Sequence, residues 1–229
     1  MKTEELDFRD FSHVQAGYAC ELEVAWSDSY SVSITAGDNL IKSVKVDKQD
    51  GTLRIRRSLS SFHGLIPGTF QAKITMPVLD GLDLSGASKG TITGFSSKSN
   101  FSANLKGASS LAIANMSAAD MRFELAGASK VTGQVQGANA EFNLRGASTV
   151  ELAGSASNIV IDAGGASHLD LADFHVGNAN VKLRGASHTT VNLDGQLDAN
   201  LSGASKLYWL GKAVMGDTKT AGASTISKK

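Results

Sequence analysis

Apolar and polar positions alternate in short bursts along the second two thirds of the chain, and the bursts recur about every twenty residues. The recurrence is anchored on a tripeptide. Gly-Ala-Ser starts at Gly86, Gly107, Gly127, Gly146, Gly165, Gly185, Gly203 and Gly222, with gaps of 21, 20, 19, 19, 20, 18 and 19 residues. Two residues before each glycine stand Leu84, Leu105, Leu125, Leu144, Ala163, Leu183, Leu201 and Thr220. Four before it stand Leu82, Ala103, Phe123, Phe142, Ile161, Val181, Ala199 and Thr218. The position between them is polar throughout, from Asp83, Asn104 and Glu124 to Lys219. A period of two with one apolar face predicts a half-buried strand before each tripeptide. Apolar residues four and six positions after the glycine, such as Val150 and Leu152, predict a second strand. A third, less regular segment holds turn glycines.

A fixed period near twenty marks a solenoid. A leucine-rich repeat would need a helix or an asparagine ladder at fixed offsets, and neither is read from these columns. The pattern predicts an all-β fold, a right-handed parallel β-helix of about eight coils. In such a stack the glycine supplies a corner of unusual backbone angle, and alanine is expected to pack tightly inside that corner. Strand parity alone would point the serine inward, whereas a bend at Gly-Ala would turn it out; the sequence leaves both open. Glu124 is expected to lie between Lys106 and Arg145 of the neighbouring coils, and Asp162 between Arg145 and Arg184.

Residues 1–80 lack the tripeptide and read as an N-terminal β region with hairpins that caps the solenoid of residues 81–229. Alternation from Val14 to Val24 predicts one long strand, and Tyr30, Val32 and Ile34 another. Asp38 is expected to cap a short helical turn. Val44 and Val46, the turn Asp47–Gly51, then Leu53 and Ile55 read as a hairpin. Arg57–Thr69 reads as a loop, and Phe70 to Met76 as a last strand.

Composition narrows the function. The chain has 229 residues, with 22 Lys+Arg against 22 Asp+Glu, so it carries no basic surplus of the kind nucleic-acid binders show. Hydrophobic residues make up 41%, too many for a disordered chain. No apolar run approaches the length of a membrane-spanning helix. The opening Met1-Lys2-Thr3-Glu4-Glu5-Leu6-Asp7 is too polar for a secretory leader, so the sequence fits either a cytoplasmic protein or a mature form. Cys20 is the single cysteine, which excludes an internal disulfide.

No chemical motif commands assignment. Gly86-Ala87-Ser88-Lys89-Gly90 matches a nucleophile elbow, but that motif needs a strand-to-helix turn, and here it is one copy of a repeat. His168 and His188 share a column in successive coils and would lie roughly 5 Å apart. Their column is otherwise Lys, Ser and Thr, so a polar ladder is favoured over a metal site. Asp83, Glu124 and Asp162 share a column at a spacing too loose for a glycosidase pair, and basic neighbours account for them. We therefore assign no catalytic, cofactor or metal residue. Tyr208, Trp209 and Leu210 form an apolar concentration near the final coil, Thr225–Lys229, and predict a homodimer through that coil.

The order of parts resembles a known family. Arg9-Asp10-Phe11-Ser12, Tyr30-Ser31-Val32-Ser33-Ile34, Asp38-Asn39-Leu40, Asp50-Gly51-Thr52-Leu53-Arg54-Ile55, Met76-Pro77-Val78-Leu79 and Leu84-Ser85-Gly86-Ala87-Ser88 resemble the bacterial “putative adhesin” family called the head GIN domain. The resemblance covers nearly the whole chain. It implies a β-helical protein of the bacterial cell envelope or surface, periplasmic, outer-membrane-attached or extracellular, with no established enzymatic activity. With the repeat and the missing catalytic set, it favours a non-catalytic scaffold that binds a protein or a glycan; the alternatives are a glycan-active β-helix enzyme and a structural self-assembly module.

Overall fold

The computed structural model describes residues 1–58 and 68–229. Residues 59–67 of the loop expected over Arg57–Thr69 lie outside them. The fold is 68% strand and 2% helix, a β-solenoid of about seven turns where the repeats suggested eight coils. The first part of the chain holds β1 (Lys2–Leu6), β2 (His13–Ala16), β3 (Cys20–Trp26), β4 (Ser31–Ala36), α1 (Asp38–Ile41), β5 (Val44–Gln49), β6 (Thr52–Arg57) and β7 (Phe70–Met76). The repeats hold β8 (Gly81–Leu84), β9 (Lys89–Thr93), β10 (Phe101–Gly107), β11 (Ser110–Ser117), β12 (Asp120–Gly127), β13 (Lys130–Leu144), β14 (Thr149–Ala163), β15 (His168–Leu183), β16 (His188–Leu193), β17 (Gln196–Leu201), β18 (Lys206–Gly211), β19 (Val214–Thr220) and β20 (Thr225–Lys228).

Two parallel ladders run the length of the molecule. The first joins β6, β2, β8, β10, β12, the second halves of β13, β14 and β15, then β17 and β19. The second joins β7, β3, β9, β11, the first halves of β13, β14 and β15, then β16, β18 and β20. A short third side links them, with Met116 beside Val135 and Gly154 beside Phe174. Leu82, Ala103, Phe123, Phe142, Ile161, Val181 and Ala199 all point inward and are buried, as their parity required. Phe123 and Phe142 stack with ring centroids 5.3 Å apart and planes at 8°.

The N-terminal strands enter these ladders out of chain order. β2 lies between β6 and β8, and β3 between β7 and β9, all parallel. The long strand expected from Val14 to Val24 is broken at Gly17-Tyr18-Ala19, where Tyr18 (φ 62°) and Ala19 (φ 60°) turn the chain through a corner. Alternation cannot distinguish one straight strand from two joined at a corner that preserves parity. Beyond β6 and β7 the ladders end in antiparallel strands, β5 against β6, and β4 then β1 against β7. The β5–β6 hairpin turns at Asp50-Gly51, both with positive φ. At α1 the N-cap is Gly37, with no side-chain bond, so Asp38 lies in the first turn and is not the cap.

The corner chemistry differs from expectation at alanine and resolves serine. Ser88, Ser109, Ser129, Ser148, Ser167, Ser187 and Ser205 are at most 1% exposed. Each hydroxyl donates to the carbonyl three residues earlier, as Ser148 Oγ does to Arg145 O at 2.9 Å and Ser187 Oγ to Arg184 O at 2.9 Å. The alanines, Ala147 among them, are exposed. The tight position is the glycine. A Cβ on Gly146 (φ +83°) would sit 2.6 Å from the carbonyl oxygen of Gly127 in the coil below.

Candidate functional site

Ser88 of the elbow-like sequence is fully buried between β8 and β9, and its Oγ donates to Ser85 O at 2.9 Å. No helix follows it, and the hydroxyl is committed to a corner. His168 and His188 are register partners on β15 and β16, with His188 Nδ1 3.2 Å from the Ala186 carbonyl. Among the described residues no three His, Cys, Asp or Glu side chains converge as metal ligands would. The acidic column is paired out. Asp83 meets His13 at 3.2 Å, and Asp162 meets both Arg145 and Arg184 at 3.2 Å, as their columns required. Glu124 instead pairs with Arg122 at 2.8 Å, because Arg122 projects from the same face of its own strand, two residues away.

The structure does contain an asparagine ladder. It occupies the column seven residues before the glycine: Asn100, Asp120, Asn139, Asn158 and Asn178. Asn139 Nδ2 donates to Asp120 Oδ1 at 2.7 Å, Asn158 Nδ2 to Asn139 Oδ1 at 3.0 Å, and Asn178 Nδ2 to Asn158 Oδ1 at 3.0 Å. The backbone closes both ends, with Asp120 N donating to Asn100 Oδ1 at 3.3 Å and Gln196 N to Asn178 Oδ1 at 2.9 Å. The signal was present as four identical residues at one offset, but it lies just outside the strand alternation, at the bend into the first ladder. In a parallel stack, identical carboxamides one coil apart lie within hydrogen-bonding reach of each other.

Beside this ladder runs a second outward row, Ser102, Arg122, Glu141 and Val160. The two rows wall an open trough of about 770 Å³ whose floor includes Phe101, Met121 and Ala140. It crosses four coils, about 14 Å at the coil repeat. Arg122 bridges its middle, reaching Glu141 at 2.6 Å and Glu124 at 2.8 Å. The hydrogen bond it donates to Glu124, with both carboxylates close by, raises the guanidinium pKa further. Asp80 sits at one end and Val160, 49% exposed, at the other. The trough thus offers a row of rigid donors and acceptors, one per coil, facing a charged row that ends in an apolar side chain.

Known structures share this architecture. A “putative lipid binding protein” from Parabacteroides distasonis superposes with a TM-score of 0.90 at 17% identity, over 100% of this chain and 96% of that one. A “putative adhesin” from Parabacteroides merdae gives 0.88 at 16% identity, over 100% and 95%. A second P. distasonis “putative adhesin” gives 0.86 at 15% identity, over 100% and 96%. At these identities the likeness is one of fold. No curated protein sequence matches the chain. The family model described as “Putative auto-transporter adhesin, head GIN domain” matches residues 10–213. The chain belongs to that head GIN domain family.

Proposed function

We propose that the protein is a non-catalytic solenoid of the bacterial cell envelope or surface, and that the trough beside the carboxamide ladder is its ligand-binding surface. The observation that carries this reading is the trough itself. Rigid polar groups repeat at a fixed spacing along one concave strip, a layout suited to holding an extended ligand by many similar contacts. Its hydrogen bonds already fix the side chains, so little rotamer entropy remains to be lost on binding. Non-catalysis is supported by the burial of the repeated serines and by the pairing of the acidic column. The family description supports a location outside the cytoplasm, whether periplasmic, attached to the outer membrane or extracellular. The ligand is a protein or a glycan.

Incubation with immobilised polysaccharides and glycoproteins tests both parts of the reading. The protein should be retained on a surface bearing its ligand while releasing no reducing ends or fragments into solution. Product accumulating with time would overturn the non-catalytic reading. Retention that Ser102→Trp leaves unchanged would overturn the assignment of the trough.

A further inference from the structure

The chemistry of the trough selects among extended ligands. Within the ladder, Asn139 and Asn158 each spend one amide N–H and one oxygen lone pair on their neighbours. A carboxamide carries two N–H groups and two lone pairs, so each keeps one donor and one acceptor for a ligand. A hydroxyl is both donor and acceptor and answers such a pair from one atom. Charge points the same way. Asp80, Asp120 and Glu141 line the trough against one cation, Arg122, which is already held by Glu124 and Glu141. Uronate, sulfate or phosphate groups would meet net negative charge with no free counter-ion.

Spacing separates the remaining polymers. The rungs repeat at the coil spacing, about 4.8 Å. An extended peptide advances about 3.3 Å per residue and turns like groups to one side only every second residue, about 6.6 Å, so they are out of step with the rungs from the first coil. A pyranose ring linked through opposite sides is close to one coil in length and presents hydroxyls along either edge at each step. Resting on the reading of the trough as the ligand surface, we propose that it binds a neutral, linear glycan lying along the solenoid axis. One sugar ring meets each of Asn100, Asp120, Asn139 and Asn158, and the apolar face of a terminal ring lies against Val160.

Calorimetric titration with three sets of probes tests this. The sets are neutral hexasaccharides of gluco, manno, galacto and N-acetylglucosamine configuration, uronic-acid hexasaccharides, and extended octapeptides. At least one neutral hexasaccharide should bind, with affinity rising from two rings to four and then levelling. Asn139→Ala and Asn158→Ala should each weaken it about tenfold. Ser102→Trp, which leaves the ladder bonds in place, should abolish it without lowering the melting temperature. Failure of every neutral glycan to bind overturns the proposal. Binding of a uronate or a peptide that Ser102→Trp abolishes overturns it too, while leaving the trough as the ligand surface. Binding of any probe that no trough variant weakens overturns both readings.

Discussion

Glycine, alanine and serine divide the work at each corner, and each task has its own energetic consequence. Glycine accepts the left-handed turn and the close backbone of the next coil, which no Cβ could. Gly146→Ala should therefore destabilise the protein by about 1–3 kcal/mol, seen as a lower melting temperature. Ala147→Leu, on the exposed side of the same corner, should change stability by no more than about 0.5 kcal/mol. One coil departs from the tripeptide. Cys20 is the register neighbour of Ser88, donates its N–H to Ser88 Oγ at 3.2 Å, and follows the positive-φ residues Tyr18 and Ala19. Tyr18-Ala19-Cys20 is thus a degenerate corner with a thiol in the serine column, illegible in the sequence because two of its three residues differ. Burial, and secondarily Glu21, raise the Cys20 thiol from 9.0 to about 12. The folded state keeps this proton when the unfolded chain has lost it. Its stabilising effect is full below pH 9 and is lost as the pH rises from 9 toward 12. Cys20→Ser should make denaturation less sensitive to pH across that window. Equal pH sensitivity in the two proteins would show that the thiol is not buried in the serine column.

At the level of strands, alternation alone revealed the two ladders and their inward residues, because burial on one face forces a period of two. It revealed neither the insertion of β2 and β3 between later strands nor the antiparallel strands beyond them. Pairing partners depend on where the chain returns in space, which the local pattern does not record. The carboxamide ladder is likewise legible as a column, but its residues open the first-ladder strands one place beyond the last inward apolar position, where alternation no longer marks them. Phe142 illustrates the legible part. It is fully buried against Phe123, with its neighbours fixed above and below by the stack. Phe142→Ala should cost about 3–5 kcal/mol by chemical denaturation. Wild-type stability in that variant would contradict the ladder as described.

The whole molecule is asymmetric along its axis. At one end, β1, β4 and β5 cross the ladders in antiparallel pairing and carry Lys2, Glu4, Glu5, Lys45 and Asp47. Charged strands of this kind discourage further pairing. At the other end lie the parallel strands β19 and β20, where Val214 is 65% and Met215 43% exposed. We propose that two copies associate through this end. Light scattering should show a mass that rises toward the dimer with concentration, and Met215→Lys should hold the protein monomeric. A concentration-independent monomer mass would set the dimer aside.

In the function proposed here, one strip of an otherwise repetitive surface holds the ligand. A tryptophan scan around the girth of the solenoid tests it most directly, using retention on a ligand-bearing surface as the readout. Ser102→Trp fills the trough, Ser155→Trp projects from the third side, and Lys206→Trp projects from the second ladder. Retention should be lost only in Ser102→Trp, with all three variants folded. Loss in Ser155→Trp or Lys206→Trp, with Ser102→Trp unaffected, would place the binding surface elsewhere and contradict the account.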